Sequence, residues 1–199
     1  DEIDHLLDIT ISSGHHSVIE HISFTFAIDG VSRVLTHQLV RHRVGIAFSQ
    51  QSQRYASLAS AEWVTPRSIS SDPARRAAFD ALMKQSYLLY EQFRGEGVAL
   101  EDARFVLPQG VTTRIVMTAN LRQLIHMYSI NACFRSQWEF RWLMQGIKRE
   151  MRRISPRLAR ELKIKCFASG YCDEAHMCDE LAGRMPRKGD LGRLDGGTS

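Results

Sequence analysis

Apolar residues change their spacing several times along the chain, and each change predicts an element. Ile3, Leu6, Leu7 and Ile9 or Ile11 fall at helical spacing over residues 2–12. A break at Ser13-Gly14 precedes a polar cluster of His15, His16 and Ser17, with Glu20 and His21 just behind it. The period then drops to two. Ile22, Phe24, Phe26 and Ile28 alternate with Ser23, Thr25 and Ala27, which predicts a half-buried strand ended by Gly30. Helical spacing returns over 31–43 through Val31, Val34, Leu35, Gln38 and Leu39, putting Gln38 and Arg41 on one face.

Further along, Trp63-Val64-Thr65 reads as a short strand stopped by Pro66. Ser71-Asp72-Pro73 supplies a capping side chain and a proline at the first helical position. The helix that follows carries an apolar stripe of Phe79, Leu82, Met83, Leu89, Tyr90 and Phe93, predicted as core. Residues 99–106 predict a short helix broken at Leu107-Pro108, and 109–120 a second strand rich in β-branched residues. Two long helices follow over 120–133 and 135–153. Leu121, Leu124, Ile125, Met127 and Tyr128 form the apolar face of the first. Trp138, Trp142, Leu143 and Ile147 serve the second, the tryptophans as core or subunit-interface residues. Strands and helices without regular βαβ alternation give an α+β class, a mixed or antiparallel sheet flanked by long helices. One domain over 1–182 is expected, with 183–199 as a disordered Gly- and Arg-rich tail.

Composition narrows the class further. The chain has 199 residues, 44% hydrophobic and 24% charged, enough for one sizeable core or one protomer of an oligomer. No apolar run approaches the ~18 residues of a membrane helix, and the start at Asp1 lacks a signal-peptide layout. Four cysteines (Cys133, Cys166, Cys172, Cys178) without such a signal suggest reduced thiols in a cytoplasm. Three of them, with His176 beside them, lie in KCFASGYCDEAHMC. Five-residue gaps are not the paired spacing of a zinc site, so loop thiols are favoured and no metal is assigned. His15, His16 and His21 with Glu20 offer no defensible metal geometry either.

The net charge of +4 suits nucleic acid or small phosphate-bearing ligands. Positive residues interleave with apolar ones, which favours the small ligand. The segment Thr36–Tyr55 (THQLVRHRVGIAFSQQSQRY) concentrates this chemistry. Arg41, His42 and Arg43 end an apolar-periodic stretch, and Ser49, Gln50, Gln51, Ser52, Gln53 and Arg54 follow closely. Short polar donors beside fork-shaped guanidiniums suit phosphate and carbonyl oxygens. A solvated helix end is the ordinary explanation for such charge. Here the flanks Val34, Leu35, Leu39, Val40, Val44, Ile46 and Phe48 read as buried, and arginines at the edge of a core need an anionic partner.

Across GHHSVIEH and QLVRHRVGIAFSQQSQRY the chain resembles the flavin-dependent thymidylate synthases. Their signature is an RHR triplet followed after seven or eight residues by serine. Here Arg41-His42-Arg43 is followed by Ser52 after the eight residues 44–51. Two later blocks agree in order and spacing: ARFVLP (103–108) and TANLRQLIHMYSINACFRSQWEFR (118–141). The likeness thus extends from about Gly14 to Arg141. It implies methylene transfer from methylenetetrahydrofolate to C5 of dUMP, FAD as hydride donor, NADPH as reductant of the flavin, and a cytoplasmic homotetramer with sites shared between subunits. It also implies a strand and helix upstream of Asp1.

The resemblance assigns residues one by one. His15, Ser17 and Glu20 match flavin-contacting positions. Arg41, His42 and Arg43 match the triplet that shapes the FAD site, Arg41 also facing the nucleotide. Gln38, Ser52, Gln53, Arg54 and Arg104 match dUMP-binding positions, and Gln50 is assigned to both ligands. Asn120, Arg122, His126 and Arg135 match the flavin-contacting face of the later helix. Asn131 stands where the family usually has a nucleotide-contacting Arg. Asn keeps donors but loses charge and fork. A hydrogen bond to a charged group is worth about 1.5–3 kcal/mol, so the change is expected to weaken nucleotide affinity or activation roughly ten- to a hundredfold. Arg41, Ser52, Arg54 and Asn131 are the expected catalytic set.

Ser52 has no base and orienting acid nearby in sequence, so it reads as a ligand binder and not a nucleophile. Catalysis is then positioning and charge stabilisation around a cofactor that carries the chemistry. A nucleic-acid binder is the competing class, on the arginines 149, 152, 153, 157 and 160. A flavin- and nucleotide-binding homologue with altered activity is a second rival, and Asn131 is its reason.

Overall fold

The computed structural model describes residues 2–55 and 62–190. In chain order the elements are α1 (Glu2–Ser12), β1 (Ser23–Ser32), α2 (Arg33–Leu39), β2 (Ile46–Gln50), α3 (Arg67–Ser70), α4 (Pro73–Gly95), α5 (Leu100–Ala103), β3 (Thr112–Asn120), α6 (Leu121–Asn131), α7 (Trp138–Ile154), α8 (Pro156–Ala159) and α9 (Lys165–Ser169). Short 3₁₀ turns lie at Val18–His21, Arg104–Val106 and Lys188–Asp190. Helices and one three-stranded antiparallel sheet give the mixed α+β character read from the sequence. Residues divide into two compact units, one from Asp1–Phe24 with Ala119–Ser199, the other Thr25–Thr118. No helix among the described residues is long and apolar enough to cross a membrane.

In the unit of residues 25–118, β3 lies between β1 and β2. Thr25 meets Thr118 (2.9 Å) and Arg114 pairs with Asp29 (2.9 Å), the opposed progression of an antiparallel register. Thr113, Ile115 and Met117 of β3 are buried while Arg114 and Val116 face solvent, the period-two pattern expected. The first strand does not end at Gly30. Gly30 adopts φ +71°, a conformation only glycine takes cheaply, and the strand continues through Val31 and Ser32. Ser32 Oγ then accepts from the Leu35 backbone N–H (3.1 Å) and caps α2. The helix read over 31–43 is therefore a strand end plus a seven-residue helix stopping at Leu39. Arg41 lies in the turn beyond it, not on a helical face with Gln38.

Asp72 caps α4 as predicted, its Oδ1 accepting from Ala74 N–H (2.9 Å) and Arg75 N–H (3.0 Å). Its stripe is only partly core. Met83 and Tyr90 are buried, Phe79 and Phe93 half-buried, and Leu82 and Leu89 exposed. Trp63 makes a single antiparallel bridge to Val111 in place of a strand, and its indole N–H donates to Asp80 (2.8 Å). The helix read over 99–106 is α5 followed by a 3₁₀ turn. β2 is a strand that the sequence pattern does not predict, since Ile46 and Phe48 read as buried flanks and Gln50 as part of the polar run.

In the unit of residues 1–24 and 119–199, α6 and α7 carry most of the core. Leu121, Leu124 and Met127 of the first are buried, with Phe140, Leu143, Met144, Ile147 and Met151 of the second. Trp138 and Trp142 stay exposed, because the buried stripe starts at Phe140 and runs on a different face. α1 buries no residue, and Ile3, Leu6 and Ile9 face solvent. The tail expected over 183–199 is described only to residue 190, where Cys172 bridges Arg187 in parallel register; residues 191–199 lie outside the described residues.

Leu39, fully buried at the end of α2, and Leu82, largely exposed on α4, separate core from surface. Leu39→Ala is expected to cost about 2–5 kcal/mol in denaturant unfolding, and Leu82→Ala less than about 0.5 kcal/mol. Equal losses at both would mean that the α4 surface is covered in the folded protein.

Candidate functional site

Within residues 25–118 the polar run is fixed by one side chain. Gln50 Nε2 donates to Thr36 Oγ1 on α2 (3.0 Å) and Thr113 Oγ1 on β3 (3.3 Å). The Gln51 backbone N–H donates to the Arg114 carbonyl (2.9 Å), and Gln51's own carbonyl accepts from Arg33 Nη2 (3.0 Å). Ser52 Oγ accepts from the Arg54 backbone N–H (3.2 Å), closing a tight turn. Gln50 is thus spent on architecture, whereas Ser52, Gln53 and Arg54 form the edge that follows.

Arg54 sends Nε (2.9 Å) and Nη2 (2.7 Å) to the Glu101 carboxylate, and its guanidinium lies 5.3 Å from the Tyr55 ring centroid. Arg104 Nε donates to the Glu101 carbonyl (3.0 Å). The Arg54–Glu101 pair is half exposed, a class worth about 0–1 kcal/mol, so an incoming anion can displace it. Arg33 completes the group. Burial, and after it the neighbouring Arg104 charge, pull its guanidinium below arginine's ordinary range. Its Nε is buried with no hydrogen-bond partner among the described residues. Of the three guanidiniums only that of Arg54 meets a carboxylate, Arg104 resting on a backbone carbonyl of the same Glu101 and Arg33 on that of Gln51.

The structure brings Arg54 and Arg104, both singled out in the sequence, onto Glu101, with Arg33 as a further guanidinium; neither Glu101 nor Arg33 is singled out by the sequence pattern. The signal was available in Ser32-Arg33, a cap followed by a charged first helical residue ahead of two buried positions. Gln38 is half-buried on α2, and Arg41 and Arg43 are exposed in the turn after it, with His42 half-buried between them. The flanks divide. Leu35 and Leu39 are buried, but Val44 is 79% exposed and Val40 also faces solvent. A cleft of about 450 Å³ lies over the sheet between Asp29, Arg114 and Gln51, and of the predicted site residues only Gln50 lines it.

In the other unit, His15 and Ser17 are exposed in the loop before the 3₁₀ turn at 18–21. Glu20 in that turn pairs with Arg122 on the first turn of α6. Asn120 caps α6, its Oδ1 accepting from Gln123 N–H (2.8 Å), and Leu121 N–H donates to Ile22 carbonyl (2.7 Å). Arg122 and His126, four apart, are both exposed, so they share one face of α6. Asn131 folds back on its own helix, Nδ2 donating to the Met127 carbonyl (3.0 Å). Arg135 is held by the C-terminal segment, Nη1 reaching the His176 carbonyl (2.5 Å) and Glu174 (3.4 Å). Arg122, His126 and Asn120 thus gather at one helix, while Arg135 is engaged elsewhere.

The rival arginine cluster is largely ion-paired. Arg149 and Arg153 meet Glu150 (3.5 and 2.8 Å), and Arg157 meets Asp8 and Glu161. Among the described residues, no group of three or more His, Cys, Asp or Glu is arranged to hold a metal.

The family model described as "Thymidylate synthase complementing protein" matches residues 1–157. A protein of Nitratidesulfovibrio vulgaris named flavin-dependent thymidylate synthase is 44% identical over 184 residues, 88% of this chain and 74% of its own. One of the same name from Geobacter sulfurreducens is 40% identical over 94% of this chain and 80% of its own, and one from Pyrococcus furiosus 40% identical over 87% and 74%. The RHR triplet, the serine turn, the Arg104 block and the α6 face all lie inside the matched stretch, and the last three cysteines lie beyond it. On this match the chain belongs to the thymidylate synthase complementing family, the flavin-dependent thymidylate synthases.

Proposed function

We propose that the chain makes dTMP from dUMP, with methylenetetrahydrofolate as carbon donor, NADPH as reductant and FAD as cofactor, and without a protein nucleophile. The observation that carries this reading is the guanidinium group of Arg33, Arg54 and Arg104 beside the Ser52 turn. A nucleoside monophosphate suits it: a dianionic phosphate satisfies several guanidinium forks at once, and Ser52 and Gln53 supply short donors beside them. Arg41, in the exposed turn, stabilises charge that develops on the pyrimidine. Ser52 Oγ already accepts from the Arg54 backbone N–H and has no base on it, which supports binding over nucleophilic attack. Residues 25–118 contain no cysteine that could take that role.

The flavin contacts are assigned to His15, Ser17, Glu20, Asn120, Arg122, His126 and Arg135, with Arg41, His42, Arg43 and Gln50. Bound FAD supplies the hydride that completes the methyl group. The donor set fits: Arg122 presents a guanidinium in the first turn of α6, where helix dipole and side chain both favour a diphosphate, and the His126 imidazole lies one turn on. Arg122 would exchange Glu20 for the ligand, and Arg135 would leave the His176 carbonyl. The working form is a cytoplasmic homotetramer with shared sites and the family's fold. The apolar side chains that α1 leaves at the surface support association.

Asn131 supports a second reading, a nucleotide- and flavin-binding homologue with altered activity. Its amide is turned onto the Met127 carbonyl, and it lacks the charge of the usual Arg.

A visible spectrum of the purified chain titrated with dUMP separates the readings. Flavin bands that shift with dUMP are expected; bands that ignore dUMP favour the altered homologue, and no flavin even after adding FAD rejects both. Arg54→Ala and Arg104→Ala are each expected to weaken dUMP binding by about ten- to a hundredfold while FAD stays bound. An emptied flavin site with dUMP affinity intact would reverse the assigned roles. Asn131→Arg is expected to tighten dUMP by about tenfold, measured by the same titration. Unchanged affinity would show that position 131 does not meet the nucleotide in this chain.

A further inference from the structure

Residues 165–190 follow the stretch that the family model matches, and they close on themselves. The Cys172 backbone N–H donates to the Pro186 carbonyl and the Lys188 N–H to the Cys172 carbonyl, both at 2.9 Å. Arg187 Nη2 reaches the Ala175 carbonyl (3.3 Å), and Lys165 on α9 pairs with Asp173. Buried Cys166, Cys172 and Leu181 give the segment a small apolar core, against which Met177, Cys178 and Met185 pack. Two neighbouring residues of the connection between α6 and α7 meet this segment. Phe134 packs on its core, and Arg135 donates from Nη1 to the His176 carbonyl (2.5 Å) and to Glu174 (3.4 Å).

We propose that the C-terminal segment competes with the flavin for Arg135, so that flavin loading frees residues 173–182 and the clasp in turn holds flavin affinity down. This rests on the assignment of Arg135 to the flavin made above. The guanidinium cannot serve the segment and an incoming diphosphate with the same nitrogen. Its present partners are replaceable. One is a neutral carbonyl and the other a carboxylate at 3.4 Å, and both side chains of that pair are about half exposed, where solvent screens it. A diphosphate offers ionised oxygens to every donated bond, and charge-assisted bonds are the stronger kind. The apolar core and the Cys172–Lys188 closure do not involve Arg135, so the segment keeps its fold while the loop around Glu174 and His176 lets go. Linkage makes the effect reciprocal. Whatever the flavin takes from the clasp, the clasp subtracts from flavin binding.

The test uses the full chain stripped of flavin, followed by hydrogen exchange and mass spectrometry with and without added FAD. Exchange over residues 173–182 is expected to quicken when FAD is bound. Arg135→Ala is expected to show the quick exchange without any flavin, because it removes the clasp itself. Glu174→Gln, outside the residues assigned to the flavin, is expected to tighten FAD by about two- to fivefold in an absorbance titration. Exchange that ignores bound FAD, slow exchange in Arg135→Ala, or an unchanged FAD affinity in Glu174→Gln would each overturn the proposal. Should Arg135→Ala fail to fold, the unaltered chain and Glu174→Gln decide. A chain that binds no FAD at all rejects the proposed function and this competition together, whereas FAD that binds and leaves the exchange as it was rejects the competition alone.

Discussion

The amide of Gln50 is the joint on which the edge at Ser52–Arg54 depends. It is the last residue of β2, and its two donated bonds reach a helix and the central strand at once. Both acceptors, Thr36 and Thr113, are buried hydroxyls; Thr36 also donates to the Arg33 carbonyl (3.2 Å), and the Gln50 amide supplies each with a donor in place of water. Satisfying them with one side chain fixes where β2 ends relative to α2 and β3. The carbonyl of Gln51 is then presented to Arg33, and the chain turns at Ser52 to offer Arg54. In this run of Ser and Gln, the amide nitrogen of Gln50 is committed to the fold, and Ser52, Gln53 and Arg54 stand after it.

Arg33 is half-buried and bonded to the Gln51 carbonyl; burial first, and then the neighbouring Arg104 charge, lower its guanidinium pKa. Like charges held together destabilise a protein unless something negative joins them. Glu101 does so in part, with its carboxylate on Arg54 and its carbonyl on Arg104. Its side chain stays half exposed, so the compensation is weak and replaceable. A site that binds a dianion gains from being kept only just neutralised without it, because less favourable pairing must be broken when the ligand arrives.

What the sequence made legible follows the range of the interactions. Asp72-Pro73 and Asn120 act within three residues of themselves, and both cap the helices that local reading predicts. The alternation of β3 is likewise a local pattern, and the burial of Ile115 and Met117 follows it. Gly30 was misread because glycine ends strands and also bends them, and only the pairing of Val31 and Ser32 tells the two apart. Of the two places expected for Trp138 and Trp142, core or subunit interface, the core is excluded, because the phase of α7 is set by Phe140, Leu143, Met144 and Ile147. Arg33 and Glu101 escaped for a different reason. Their roles arise from side chains 47 to 71 residues apart (Glu101 to Arg54, Arg104 to Arg33), and no spacing rule encodes that.

Asn131 shows the same distinction at a single residue. Its family position argues for a nucleotide contact, and its chemistry allows one. Yet an Asn on the last turn of a helix has a closer option, the carbonyl four residues back, and Nδ2 takes it. An arginine there would have a side chain too long for that bond and a charge that seeks an anion beyond the helix. Replacing Arg by Asn therefore does more than subtract charge: it gives the side chain a competing local partner. Any contact from the side-chain amide of residue 131 to a ligand must first break that bond.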